Sequence, residues 1–125
     1  MKLFTLEEAN ALLPTVRPLA ERVRLTYRGV SSAQQAARRA AEGAAQGGGG
    51  MTGGPAYVAA LTELAECAGQ LEALGVQLKD YERGLVDFPA MRDGSVVLLC
   101  WHPDEGDRIE WWHDPEAGFA GRRPL

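Results

Sequence analysis

Ser95-Val-Val-Leu-Leu-Cys-Trp-His102, then Pro103-Asp-Glu-Gly-Asp107, then Arg108-Ile-Glu-Trp-Trp-His113, is the stretch whose reading decides the fold. The first run is dense in Val, Leu and Trp and follows the turn signal Arg92-Asp93-Gly94, so it reads as a strand. The last run reads as its partner across a turn, giving a β-hairpin. Alternation puts Val96, Leu98, Cys100 and His102 on one face and Val97, Leu99 and Trp101 on the other. In the second strand Ile109, Trp111 and His113 share a face opposite Arg108, Glu110 and Trp112. A four-residue loop pairs His102 with Asp107 and Cys100 with Ile109. Leu98, Cys100, Ile109 and Trp111 then form the apolar face expected to pack on the rest of the protein. A three-residue loop would set Cys100 opposite Glu110 instead.

Upstream the period changes from two to that of a helix. Thr5-Leu-Glu-Glu8 has the form of a capping box. Leu6, Ala9, Leu13, Val16, Ala20, Val23, Tyr27 and Val30 follow at alternating steps of three and four, a heptad seam. Pro14 and Pro18 each remove an amide from such a helix at a cost of about 3 kcal/mol. Because the seam keeps its phase through both, one helix kinked there is preferred to two helices broken there. The expected first helix covers 1–42.

Residues 43–54 include Gln46-Gly-Gly-Gly-Gly50 and read as a flexible linker. A phosphate-cradling loop would need a preceding strand and a following Lys-Ser or Lys-Thr, and has neither. The second helix is expected over 55–83, opened by Pro55, carrying Tyr57, Leu61, Leu64, Ala68, Leu71 and Leu78, and capped by Gly84. The short connection folds the helices antiparallel. Arg17, Arg22, Arg24 and Arg28 then face Glu63, Glu66, Glu72, Asp80 and Glu82. Residues 84–125 form the β-hairpin module and tail. The class is thus α+β within one domain of 1–125: a long antiparallel helical hairpin and a carboxy-terminal β-hairpin. Two helices bury one stripe each, so the seams predict a homodimer with a four-helix core.

Composition bounds the role. The net charge is −4, with 46% apolar and 24% charged residues, an ordinary globular balance without the clustered basic surface that nucleic acid requires. Charge is uneven: residues 1–42 carry seven Lys or Arg against four acids, and residues 84–125 four Arg against eight acids. Pairing between these segments accounts for that as readily as a partner does. The run Val96 to Trp101 is too short to span a bilayer. No apolar leader follows Met1, and Cys67 and Cys100 lack framework spacing, so a reducing cytoplasm is expected. Cys67, beside the second seam, reads as a buried structural thiol.

Phe4-Thr-Leu-Glu-Glu-Ala-Asn-Ala-Leu-Leu-Pro14, Leu78-Lys-Asp80, Gly84-Leu-Val-Asp-Phe-Pro89, Leu99-Cys-Trp101, Trp112-His113 and Gly118-Phe-Ala-Gly-Arg122 carry a resemblance. Together they are similar to a bacterial family of small cytosolic proteins catalogued only as a domain of unknown function. The resemblance covers nearly everything outside the Gly-rich linker and implies no established activity. This chain departs from the family's Gly-Glu at the hairpin turn, with Asp104-Glu-Gly-Asp107 there.

Three kinds of chemistry can be written onto the tail. Cys100 and His102, two apart on a strand, leave the same face roughly 6–7 Å apart, a separation that suits N/S ligation of zinc or iron. Asp107, Asp87 or Asp114 could complete such a site; His113 lies farther off in the simplest register. Haem is a lesser variant without an attachment motif. Glu110-Trp-Trp-His113 matches a di-iron motif only on a helix, and on a strand its two ends face opposite ways. A Cys100–His113–Asp87 triad is the enzymatic alternative, but the strand separates the first two and no oxyanion loop is recognisable. A structural account also stands, with Cys100 in the core and His113 hydrogen-bonded to Asp114 or Asp87. The leading expectation is a non-enzymatic interaction or accessory protein. Asp87, Trp101, Trp112 and Arg122 are its candidate binding residues, with Arg122 pairing to Asp87 or Glu110 and Phe119 anchoring a tail that closes the sheet.

Overall fold

The computed structural model describes residues 1–44 and 54–125. Apart from its ends, the Gly-rich linker lies outside the described residues. Helix α1 spans Leu6–Ala44. Its start is the expected capping box: the Thr5 amide donates to Glu8 Oε1 at 2.8 Å, and the Glu8 amide to Thr5 Oγ1 at 3.0 Å. The helix is unbroken through Pro14 and Pro18. Both prolines are exposed, so water can serve the carbonyls of Asn10 and Pro14 that lose their helical donors.

Helix α2 spans Gly54–Ala73, ten residues short of the expected end at Arg83. What stops it is Gly75. At φ +86° this glycine enters the left-handed region, the Val76 amide reaches back to Leu71 O at 3.0 Å, and the Gly75 amide to Glu72 O at 2.9 Å. That is a Schellman cap. Leu78 matches the heptad only through its seven-residue spacing from Leu71; it belongs to strand β1, Gln77–Asp80. The helices run antiparallel, since Arg22 pairs with Glu63 while Gln34, further along α1, meets Tyr57, earlier in α2.

Strands β1, β2 (Leu85–Arg92), β3 (Ser95–Trp101), β4 (Trp111–His113) and β5 (Arg123–Pro124) follow in chain order as an antiparallel five-stranded meander. The expected hairpin is therefore the middle of a larger sheet. Pro89 sits inside β2 without breaking it. Pairing with β1 ends at Asp87, and Pro89 O accepts the Phe4 amide at 2.7 Å on that same side. A strand residue points its carbonyl and amide positions the same way, so the missing N–H removes no bond to β3.

The turn from β1 to β2 is pressed against α1. A Cβ on Gly84, at φ +67°, would lie 2.5 Å from Ala20 O, so only glycine permits the approach.

The sheet face turned to the helices carries Val86, Phe88 and Ala90 of β2, Val97, Leu99 and Trp101 of β3, and Trp112 of β4. These pack with Phe4, the α1 seam and Leu64, Cys67 and Leu71 of α2. This reverses the expected choice of face: Leu98, Cys100 and Trp111 point away from the helices. Both faces of β3 are buried, so apolar content alone did not distinguish them. From Ala9 to Val30 the α1 seam is covered within the chain, while Leu6 stays exposed, so burying the seam does not by itself require a second copy.

The loop between β3 and β4 is also longer than expected. It contains a 3-10 turn, Pro103–Glu105, and pairing resumes only at Trp111. Cys100 therefore opposes Trp111, not Ile109 or Glu110. Arg17 clamps this loop: it donates to Pro103 O at 3.0 Å and to Gly106 O, meets Asp107 at 3.1 Å, and lies over the Trp101 ring. Arg24 holds Asp104 at 2.8 Å. Arg17 and Arg24 thus pair with the acidic loop where α2 was the expected partner, and the uneven charge along the sequence is partly resolved within the chain.

Candidate metal centre on the outer face of the sheet

The face turned away from the helices is built by the same alternation. Asp87 of β2, Cys100 of β3 and Trp111 of β4 form one cross-strand row, and Pro89, Leu98 and His113 form the next. His113 thus stands diagonal to Cys100, close enough for its ring to reach Asp87. The donor atoms of Asp87, Cys100 and His113 all lie within 4.8 Å of one another. Each of the three is buried, at 1%, 0% and 3% exposure. The two-residue shift in register relative to the simplest hairpin produces this grouping.

Hydrogen bonding fixes the histidine. Nδ1 lies 2.8 Å from the Asp114 carbonyl, which can only accept, so Nδ1 carries the proton. Nε2 then faces Asp87 Oδ2 at 3.1 Å. A bond there needs one proton held between imidazole and carboxylate, because a bare lone pair and an ionised carboxylate would repel. Asp87 Oδ1 is buried without a well-aligned donor among the described residues, the Cys100 thiol beside the carboxylate being the donor at hand. An unpartnered buried carboxylate oxygen is costly. Burial, then the neighbouring Asp87, pushes the Cys100 thiol well above the ordinary thiol range, so it is protonated at neutral pH. A thiol so disposed is a poor free nucleophile.

The tail covers this face. After β4 the chain turns through Asp114–Gly118 and a 3-10 turn, Phe119–Gly121, before β5 pairs back on β4. Arg122 reaches Glu105 Oε2 at 2.5 Å, not Asp87 or Glu110, and lies over Trp111 and Phe119. Glu105 accepts the His102 amide with its other oxygen at 3.1 Å. Beside the tail, a cavity of about 280 Å³ opens onto Asp87 and His113.

The remaining sequence candidates fall elsewhere. His102 leaves the strand at the loop, where its ring lies near Glu105 and Phe119. Asp107 is 96% exposed and paired with Arg17. Trp101 is a core residue whose indole donates to Gly106 O at 3.0 Å. Trp112 packs on the core and is flanked by Arg92 and Arg123. The sequence named Asp87, Cys100 and His113 but did not group them as ligands; reading Leu85–Arg92 as a strand beside Ser95–Trp101 would have done so. Arg17 as loop clamp and Glu105 as tail anchor carried no sequence signal beyond charge.

The family model described as an uncharacterised conserved protein, DUF2203, matches residues 2–125. The chain belongs to that family. No curated protein and no solved structure matches. Membership in DUF2203 brings no activity with it, so the functional reading has to come from the buried trio.

Proposed function

We propose that this member of the family is a transition-metal-binding protein that holds zinc or iron through Asp87, Cys100 and His113. One observation carries the reading: three different donor side chains, from three adjacent strands, bring their ligand atoms within 4.8 Å of one another. Thiolate, imidazole and carboxylate suit zinc or iron better than magnesium or calcium. The Nδ1–H bond to Asp114 O is the outer support that leaves Nε2 as the ligating lone pair. An ion would also satisfy Asp87 Oδ1. Its binding displaces the thiol proton and the proton shared by His113 and Asp87, about two protons per ion.

Elemental analysis of the full chain, purified without chelator or His-tag, tests the reading. About one equivalent of zinc or iron is expected. It should be lost in Cys100→Ala and His113→Ala and kept in His102→Ala. Less than about a tenth of an equivalent, or retention in both of the first two variants, overturns it.

A second reading is the self-associating accessory protein, with possible protein partners beyond a second copy. It is favoured by Leu25 and Val58, 62% and 61% exposed on the paired helices, with Leu61 also exposed. Sedimentation at tens of micromolar tests it; a monomer counts against a four-helix core.

A further inference from the structure

We infer that an ion held as just proposed keeps one coordination position open to solvent, and that this position accepts a small anion of carboxylate class. The inference rests on the metal reading and adds a ligand to it. Asp87 and His113 line the cavity of about 280 Å³, whereas Cys100 does not. Cys100 is thus the donor screened from the cavity, and the open position lies on the side that Asp87 and His113 share with it. Three protein ligands with a fourth position free is the arrangement that binds exchangeable ligands, in contrast to closed structural sites with four.

The charges select the sign of the ligand. A divalent ion with one thiolate and one carboxylate has no net charge. Lys79, exposed at the bulge of β1, lines the same cavity. Asp80 lines it too, but its carboxylate is already engaged: Oδ1 accepts the amides of Glu82 and Arg83 at 2.9 and 3.3 Å, and Oδ2 lies 3.7 Å from Arg83. Arg83 in turn stacks over Phe119, another wall of the cavity, at 4.5 Å. With Asp80 and Arg83 offsetting each other, Lys79 leaves one net positive charge at the opening, which favours an anion. The volume lies just under the roughly 300–1,000 Å³ of drug-sized sites, so the ligand has few heavy atoms.

Cobalt loading of the full chain, with azide and acetate as probes, separates the two levels of the proposal. A Cys100-dependent sulfur-to-cobalt absorption is expected, shifting saturably with either anion. Lys79→Ala should weaken azide binding about two- to fivefold while leaving cobalt affinity unchanged. A cobalt–thiolate spectrum that neither anion alters means a closed site; it overturns the open position and leaves metal binding standing. Anion affinity unchanged in Lys79→Ala overturns the assigned selectivity. Failure of cobalt to bind overturns the metal reading together with the inference.

Discussion

The two faces of the sheet are buried by different means. One is covered by helices and filled with Phe88, Trp101, Leu99 and Val86, so its stability comes from apolar area and close packing. The other is covered by a tail that secures itself through Arg122 and Glu105, and it shelters an acid, a thiol and an imidazole. Polar groups brought out of water need partners, and a loop held by charge-assisted bonds can approach them with its carbonyls, as Asp114 does for His113. A packed helix presents mostly side chains and could not. On this contrast most of the stability is expected from the first face, with the polar groups of the second adding little to it.

That contrast predicts an order of mutational effects. Trp101→Ala should be the most damaging, at about 3–5 kcal/mol, because it empties the centre of the helix-facing core and strands Arg17; urea denaturation measures it. A loss under ~1 kcal/mol would deny that this face dominates.

On the other face, His113→Ala should cost about 3 kcal/mol by leaving Asp87 buried without its partner. The double variant Asp87→Val/His113→Leu should recover most of that loss while binding no metal. If it stays as unstable as the single variant, the polar trio is needed for the fold itself and the contrast fails.

Arg122→Met should cost about 1–3 kcal/mol and speed amide exchange in β5 and Phe119–Gly121 before exchange in β3. Uniform acceleration would show that the tail and the core unfold as one unit.

The smallest effect lies at the start of α1. Thr5→Ala should cost about 1 kcal/mol at neutral pH. Hydrogen bonds from the Thr5 amide and hydroxyl hold the Glu8 carboxyl below its usual range, so that part of the cap is complete above the ordinary glutamate pKa. It is lost as pH falls through the lowered value. A Glu8→Gln variant should accordingly differ from the wild type less at acid pH than at neutral pH in thermal melts.

Legibility followed the length scale of each signal. The start of α1 and its seam were readable because capping and a period of three and four are local and repeated over many residues. The end of α2 was not, because Leu78 carried the apolar rhythm past Gly75, and a four-residue strand has too few positions to show alternation. Leu85–Arg92 was obscured by Pro89, whose harmlessness depends on where β1 stops. The candidate site was legible in its members, but they were grouped only as an enzymatic triad, set aside because the simplest register holds Cys100 and His113 apart. Register is a long-range property: two extra residues in the loop after Trp101 bring His113 to Asp87 and Cys100 and leave His102 outside.

The rims of the meander have a consequence for how the protein behaves at high concentration. A five-stranded sheet exposes two rows of unpaired backbone groups, and such rows invite other chains to add as further strands. Here one rim is β1, four residues interrupted by a bulge beside Lys79, and the other is β5, two residues ending in Pro124. A kink and a charge guard the first, and brevity and a missing amide guard the second. Among the described residues, neither rim offers a long template for fibrous growth by strand addition.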